Sequence, residues 1–208
     1  MIVRRLGQRL YGAGLALQLE ARERVLGGGP DELLLLEHEP VVTLGRRGGV
    51  FDSARLADLQ IPVVQTDRGG LATWHGPGQL TGYSIVDLRR RRLAVGDFVA
   101  TLGRLLEELG GQFGVDARWD AERPGVYVGP RKLGSIGLHV HRGVTTHGFA
   151  LNVDCDLAGF AAISPCGATD LTMTTLARES PRPVTVGEVE DAGASLFARP
   201  WPISATGA

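Results

Sequence analysis

The feature that most constrains the fold is a pair of apolar runs, Leu133 to His141 and Val144 to Val153, separated only by Arg142 and Gly143. Two strand-like runs joined by so short a turn form a β-hairpin. Other strand-like runs lie at Glu32 to Glu37, Val41 to Leu44, Ile61 to Gln65, Leu71 to His75, Gly82 to Asp87 and Val126 to Val128, with Pro40 dividing the first two. Helical spacing marks three further stretches. The first carries Leu15, Leu19 and Leu26, with Ala13 and Ala16, and stops at Gly27-Gly28-Gly29-Pro30. The second, Ser53 to Leu59, is capped by Asp52 or Ser53. The third, Asp97 to Leu109, closes at Gly110-Gly111. Helical patches at Gly159 to Ile163, Leu171 to Arg178 and Val184 to Phe197 follow, and the tail from Pro200 is irregular. With 208 residues and no dividing linker, the expectation is one α+β domain over residues 1–208, a mixed or antiparallel sheet flanked by helices.

A net charge of −1 supplies no global attraction for nucleic acid or membrane. The densest apolar run, Leu33 to Leu36, is far too short to span a bilayer. Cys155 and Cys166 are the only cysteines and lack paired zinc-type spacing, so a reducing cytoplasm is the expected setting. Of the 22 basic residues only Lys132 is a lysine. Arginine keeps its proton in a protein, whereas an amine can be tuned to release one. Lys132 is therefore either a base or a leftover surface cation.

Four segments carry chemistry. Arg68-Gly69-Gly70-Leu71-Ala72-Thr73-Trp74-His75-Gly76-Pro77-Gly78-Gln79-Leu80 holds four glycines, which let backbone approach a ligand closely or simply form a hairpin turn. It has neither the Walker A ending nor the dinucleotide glycine spacing. Arg131-Lys132-Leu133-Gly134-Ser135-Ile136-Gly137 opens a strand with the sole lysine, followed by small residues against which something long can pack. Thr146-His147-Gly148-Phe149-Ala150-Leu151-Asn152-Val153 is its return strand. In Ser164-Pro165-Cys166-Gly167 the cysteine stands in a turn, just ahead of the helical pattern that begins at Leu171. A helix start favours thiolate, although a small buried thiol is the commoner fate of cysteine. Cys155, beside a strand, reads as structural.

Together these segments resemble the octanoyl-[acyl carrier protein]–protein N-octanoyltransferases of lipoate biosynthesis, in order and in spacing, from about Leu34 to Leu176. The resemblance implies the catalytic-domain fold of biotin and lipoate ligases. It implies an acyl-enzyme on Cys166, with Lys132 supporting its thiolate and acting as acid and base. It also implies an acyl pocket lined by Arg68, Gly69, Gly70, Leu71, Ala72, Thr73, Trp74, His75, Ser135, Ile136, Gly137, Gly148, Phe149 and Ala150. Phe149 stands where the family more often has leucine, and Leu71-Ala72 are variable positions there; these bear on pocket shape. The implied donor is octanoyl-acyl carrier protein. The implied acceptors are lipoyl domains of 2-oxoacid dehydrogenases and the glycine cleavage H protein. No cofactor is expected, because a thioester donor is already activated. Backbone N–H groups of Gly69, Gly70 or Gly167 are candidates for holding the oxyanion. His75 and His147 are alternative bases.

Three rivals stand beside this. An ATP-dependent lipoate or biotin ligase shares the glycine-rich loop and lysine but needs no nucleophilic cysteine. A metal-dependent hydrolase could draw on His139, His141 and His147. A non-catalytic acyl-binding module would keep the glycines without explaining Cys166. Finally, Arg89-Arg90-Arg91-Arg92 is either a docking patch for acidic acyl carrier protein or the phosphate of its prosthetic arm, or a solvated connection before the Asp97 helix.

Overall fold

A computed structural model describes residues 1–163 and 171–199. The segment holding Cys166 and Gly167, and the tail from Pro200, lie outside these described residues. The hairpin is present. Strand β9 (Arg131–His141) pairs with β10 (Val144–Asn152) in antiparallel register, Gly137 opposite Gly148. Both turn residues take positive φ, 50° at Arg142 and 86° at Gly143, as a two-residue turn matched to strand twist requires.

That hairpin sits inside a seven-stranded sheet. Its members are β1 (Ile2–Arg9), β2 (Glu32–His38), β6 (Gln79–Ile85), β10, β9, β8 (Gly125–Val128) and β7 (Arg118–Asp120), in that spatial order. Only β1 and β2 run parallel. A second sheet places β3 (Val41–Leu44) between a parallel β4 (Val63–Gln65) and an antiparallel β5 (Ala72–His75). Pro40 thus marks a change of sheet. The α+β expectation holds.

Helix α1 (Tyr11–Leu26) packs on one face of the large sheet, and α3 (Val95–Gln112) with α5 (Val186–Phe197) packs on the other. In β2, Leu33 and Leu35 join the α3–α5 core while Leu34 and Leu36 join the α1 core. Burial on both faces explains why this strand is an unbroken apolar run. A short α2 (Ser53–Asp58) begins at Asp52, whose carboxylate accepts from the Arg55 N–H at 3.0 Å. A 3₁₀ turn at Leu157–Ala162 covers the small sheet. No helix among the described residues is long and apolar enough to cross a membrane.

Several elements differ from the sequence expectation. The buried face of α1 is Tyr11, Gly14, Gln18, Ala21 and Val25, and Leu19 is exposed. Gln18 is drawn inward because its Oε1 accepts the His147 N–H at 2.7 Å. Strands β1 and β7 are additional, the first masked by its arginines and the second only three residues long. Helix α3 runs through Gly110 and Gly111, and the reversal falls at Gly114, where φ is 74°. The expected helix from Leu171 begins only at Leu176, as α4 (Leu176–Glu179). Before it, Thr172 and Thr174 are pulled into an extended bridge with Lys132. Among the described residues, therefore, no helix begins at Leu171, and Cys166 itself lies outside them.

Candidate active site

A cavity of about 680 Å³ opens between the large sheet and the glycine-rich loop that precedes β5. Its floor is built from small residues of the hairpin, Ser135, Gly137, Gly148 and Ala150, with Ile136 and Phe149 beside them. Its roof is Arg68, Gly69, Gly70, Leu71, Ala72 and Thr73, with His75 further along. The loop can lie this close only because Gly137 has no side chain: a Cβ there would stand 2.9 Å from the Gly69 carbonyl oxygen. Gly69 N–H closes the contact by donating to the Leu138 carbonyl at 2.8 Å. That bond engages one of the three proposed oxyanion donors. Trp74 points elsewhere, packing on Phe160 and lining a second cavity with Cys155.

Lys132 reaches the same cavity and is only 1% exposed. Its Nζ lies 5.6 Å from the centre of the Tyr127 ring. Gly125 on the neighbouring strand makes room for it, since a Cβ there would be 2.6 Å from Lys132 Cε. The backbone of Lys132 is tied on both sides to the chain that follows Cys166. Its N–H donates to Thr172 O at 2.9 Å, and its carbonyl accepts from Thr174 N–H at 2.9 Å. Leu171 and Met173, from that same stretch, line the cavity. Arg131 and Glu179 lock the arrangement with a two-pronged ion pair, 2.7 Å and 2.8 Å. The Arg131 hydrogen bonds hold the Glu179 carboxyl below its usual range, against the opposing effect of burial.

A polar network continues from there into two of the sequence motifs. Asn152 Nδ2 donates to Thr174 O at 3.0 Å, and Gln79 Nε2 donates to Asn152 Oδ1 at 2.9 Å. His75 Nδ1 in turn bonds Gln79 Oε1 at 2.7 Å, so this nitrogen carries the proton. Its other nitrogen lies 3.3 Å from the Thr43 hydroxyl. Burial, followed by the charges of His38 and Arg68, lowers the His75 pKa to about 3. Both ring nitrogens are thus engaged within the network. Arg68 itself is buried and forks onto Thr43, with Nη2 2.6 Å from the carbonyl.

The cavity wall is completed by Tyr11, Thr81, Tyr83 and His147. His147 takes φ 60°, uncommon for a residue with a side chain, and its Nε2 lies 2.7 Å from Asp67 Oδ1. Burial lowers its pKa despite that carboxylate. His139 Nε2 is 3.6 Å from the same Asp67, whereas His141 is exposed at the end of β9. The three histidines therefore do not converge. Among the described residues no group of three or more His, Cys, Asp or Glu side chains is placed to hold a metal ion. Cys155 is a buried free thiol, and burial raises its pKa to about 12. Asp67, Tyr11 and Tyr83 lie outside the four sequence motifs, and Gln79 and Asn152 lie inside them without having been assigned to the site. For Gln79 and Asn152 the signal was present: each is a polar residue at the next-to-last position of a motif.

The four-arginine run is divided: Arg89 and Arg92 are exposed, while the two arginines between them are held by an aspartate. Arg90 and Arg91 both clamp Asp31, at 2.5 Å each, and Asp31 is 3% exposed. Asp31 also accepts from Asp87 N–H at 3.0 Å. Half of the run thus holds the connection after β6 against the start of β2.

The lipoyl protein ligase A/B catalytic domain family model matches residues 11–198, a wider span than the motifs alone suggest. An octanoyltransferase of Mycolicibacterium smegmatis is 47% identical over 195 residues, covering 91% of this chain and 84% of that protein. An octanoyltransferase of Geobacter metallireducens is 43% identical, covering 95% and 92%. Among solved structures, the bipartite lipoate protein ligase of Thermoplasma acidophilum superposes with a TM-score of 0.75 at 18% identity, covering 94% of this chain and 81% of the other. At that identity the likeness shows the fold. The chain belongs to the octanoyltransferase family, acyltransferases built on the lipoyl protein ligase A/B catalytic domain.

Proposed function

We propose that the chain moves an octanoyl group from octanoyl-acyl carrier protein to a lysine of lipoyl domains through a thioester on Cys166. The observation that carries this is the environment of Lys132. The only amine side chain in the protein is buried on the wall of an apolar cavity and is tied by its backbone to the chain segment that follows Cys166. Leu171, five residues after Cys166, lines that cavity.

In the first half-reaction the Lys132 amine takes the thiol proton and Cys166 sulfur attacks the thioester carbonyl. The carbon–sulfur bond to the carrier breaks, and the departing thiolate takes the proton back from Lys132. In the second, the acceptor amine attacks the acyl-enzyme, gives its proton to Lys132, and Cys166 sulfur leaves. The donor thioester supplies the activation, so no nucleotide is consumed. The Gly70 N–H remains a candidate for the oxyanion, beside Gly167. We place the reaction in the cytoplasm, where a catalytic thiol stays reduced.

The test is intact mass after incubation with octanoyl-acyl carrier protein. One octanoyl adduct is expected, labile to hydroxylamine and mapping to Cys166. An adduct on Cys155, or full transfer activity in Cys166→Ala, would overturn the assignment.

A further inference from the structure

A tight turn stands where the cavity meets solvent. Gly45 and Gly48 face each other across it, with Gly48 N–H donating to Gly45 O at 2.8 Å. Arg46 and Arg47 therefore occupy its two central positions, and both are exposed. Their backbone N–H groups donate to Arg68 O at 2.9 Å and Gly70 O at 3.2 Å, so the turn rides on the loop that roofs the cavity. Arg47 lines the cavity itself.

The charges around this turn are unevenly used. Arg90 and Arg91 are committed to Asp31, and Arg123 is held by Asp120 at 2.8 Å and lies over the Tyr127 ring. Among the described residues no ion pair includes Arg46 or Arg47. Glu122 is the one carboxylate on the cavity wall among the described residues. Two adjacent exposed arginines, whose backbone is held to the cavity roof and one of which lines the cavity, suit an anion on the polar part of a substrate whose apolar part lies inside. An octanoyl chain carries no charge, so the anion must belong to whatever delivers it.

We infer that the Arg46–Arg47 turn binds the phosphate of the prosthetic arm on which a carrier protein presents its acyl thioester. This rests on the function proposed above and adds the part of the donor that is recognised. Guanidinium suits the task because its planar fork can meet two phosphate oxygens at once.

The test compares octanoyl pantetheine with octanoyl 4′-phosphopantetheine, two donors that differ only by the phosphate. Wild type should use the phosphorylated donor with kcat/KM on the order of tenfold higher, the scale of a charge-assisted hydrogen bond or two. In Arg46→Gln/Arg47→Gln the ratio should fall to near one. Arg46→Lys/Arg47→Lys, which keeps the charge, should restore part of it. As a measurement without variants, unacylated phosphopantetheine should inhibit wild type more strongly than pantetheine. A wild-type ratio near one, a ratio that survives in the double glutamine variant, or equal inhibition by the two arms would overturn the inference and leave the proposed function standing. No transfer from either donor or from the full carrier would defeat that function, and this inference with it.

Discussion

Asn152 donates from its side-chain amide to the Thr174 carbonyl at 3.0 Å, and the Thr174 N–H donates to the carbonyl of Lys132. A polar residue that closes an apolar strand thus holds the chain between the site lysine and α4. Asn152→Asp keeps the shape but turns a donor into an acceptor facing a carbonyl oxygen. Asn152 is 1% exposed, so the mismatch cannot be hydrated. The cost in stability should be about 2–3 kcal/mol, the penalty for a buried unsatisfied polar group. Turnover should fall at least on the order of tenfold, because small misplacements at a site are expensive. Urea unfolding and steady-state kinetics check both. Wild-type kcat in a folded Asn152→Asp protein would strip the residue of any positioning role.

The hairpin, β2, α2 and the glycine loop are legible from sequence because each rests on a local rule. A two-residue turn sets Arg142-Gly143, an aspartate cap sets Asp52, and glycines set the roof. What escapes is non-local. The inward face of α1 follows from Gln18 meeting His147, 129 residues away. The extended path of Thr172 to Thr174 follows from pairing with Lys132, which overrides their helical spacing. Trp74 falls within residues 68–75, the rest of which line the cavity. Alternation along β5 turns it to the opposite side from Thr73 and into the small-sheet core.

The arginine run yields a prediction opposite to a uniform docking patch. Asp31→Asn should destabilise the fold by about 2–3 kcal/mol, less than a fully buried pair because the arginine side chains are 40% and 19% exposed. Arg92→Ser should stay within about 0.5 kcal/mol, as solvated surface positions do. Thermal melts of the two variants measure the contrast. Equal melting temperatures would mean the Asp31 pairs contribute nothing beyond solvation.

Acid should unfold this protein through its buried imidazoles. The folded pKa of His75 is lowered to about 3 from 6.5, burial first and then the charges of His38 and Arg68. The unfolded chain takes up that proton below about pH 6.5 while the folded chain does not, so stability is intact above this pH and falls as pH drops toward 3. One such proton is worth about 1.4 kcal/mol per pH unit. His38 and His147, also lowered chiefly by burial, steepen the loss. His75→Gln should be less stable at pH 7.5, but the gap should narrow steadily toward pH 4.5 in urea titrations. A constant gap across that range would show that His75 protonates without unfolding.

The last prediction separates the chemistry of Lys132 from its placement. If the residue only supplies positive charge, Lys132→Arg should retain substantial activity. If it must give and take protons, arginine fails in both half-reactions, and the loss should be on the order of a hundredfold or more. Arginine is also larger, and the space beside Gly125 is tight, so a second variant is needed. Gly125→Ala leaves the amine in place but puts a Cβ 2.6 Å from Lys132 Cε and 2.7 Å from Gly134 O, so something must shift. Since one of those atoms is backbone, the shift falls largely on the lysine side chain. Turnover in Gly125→Ala should therefore drop about tenfold, the scale expected when a catalytic group moves by a fraction of an ångström. Circular dichroism establishes that both variants are folded, and single-turnover acylation by octanoyl-acyl carrier protein measures the step. A folded Lys132→Arg protein within about threefold of wild type would be too mild for a lost acid/base group. Wild-type acylation in Gly125→Ala would show that the amine works without the fixed position the fold gives it.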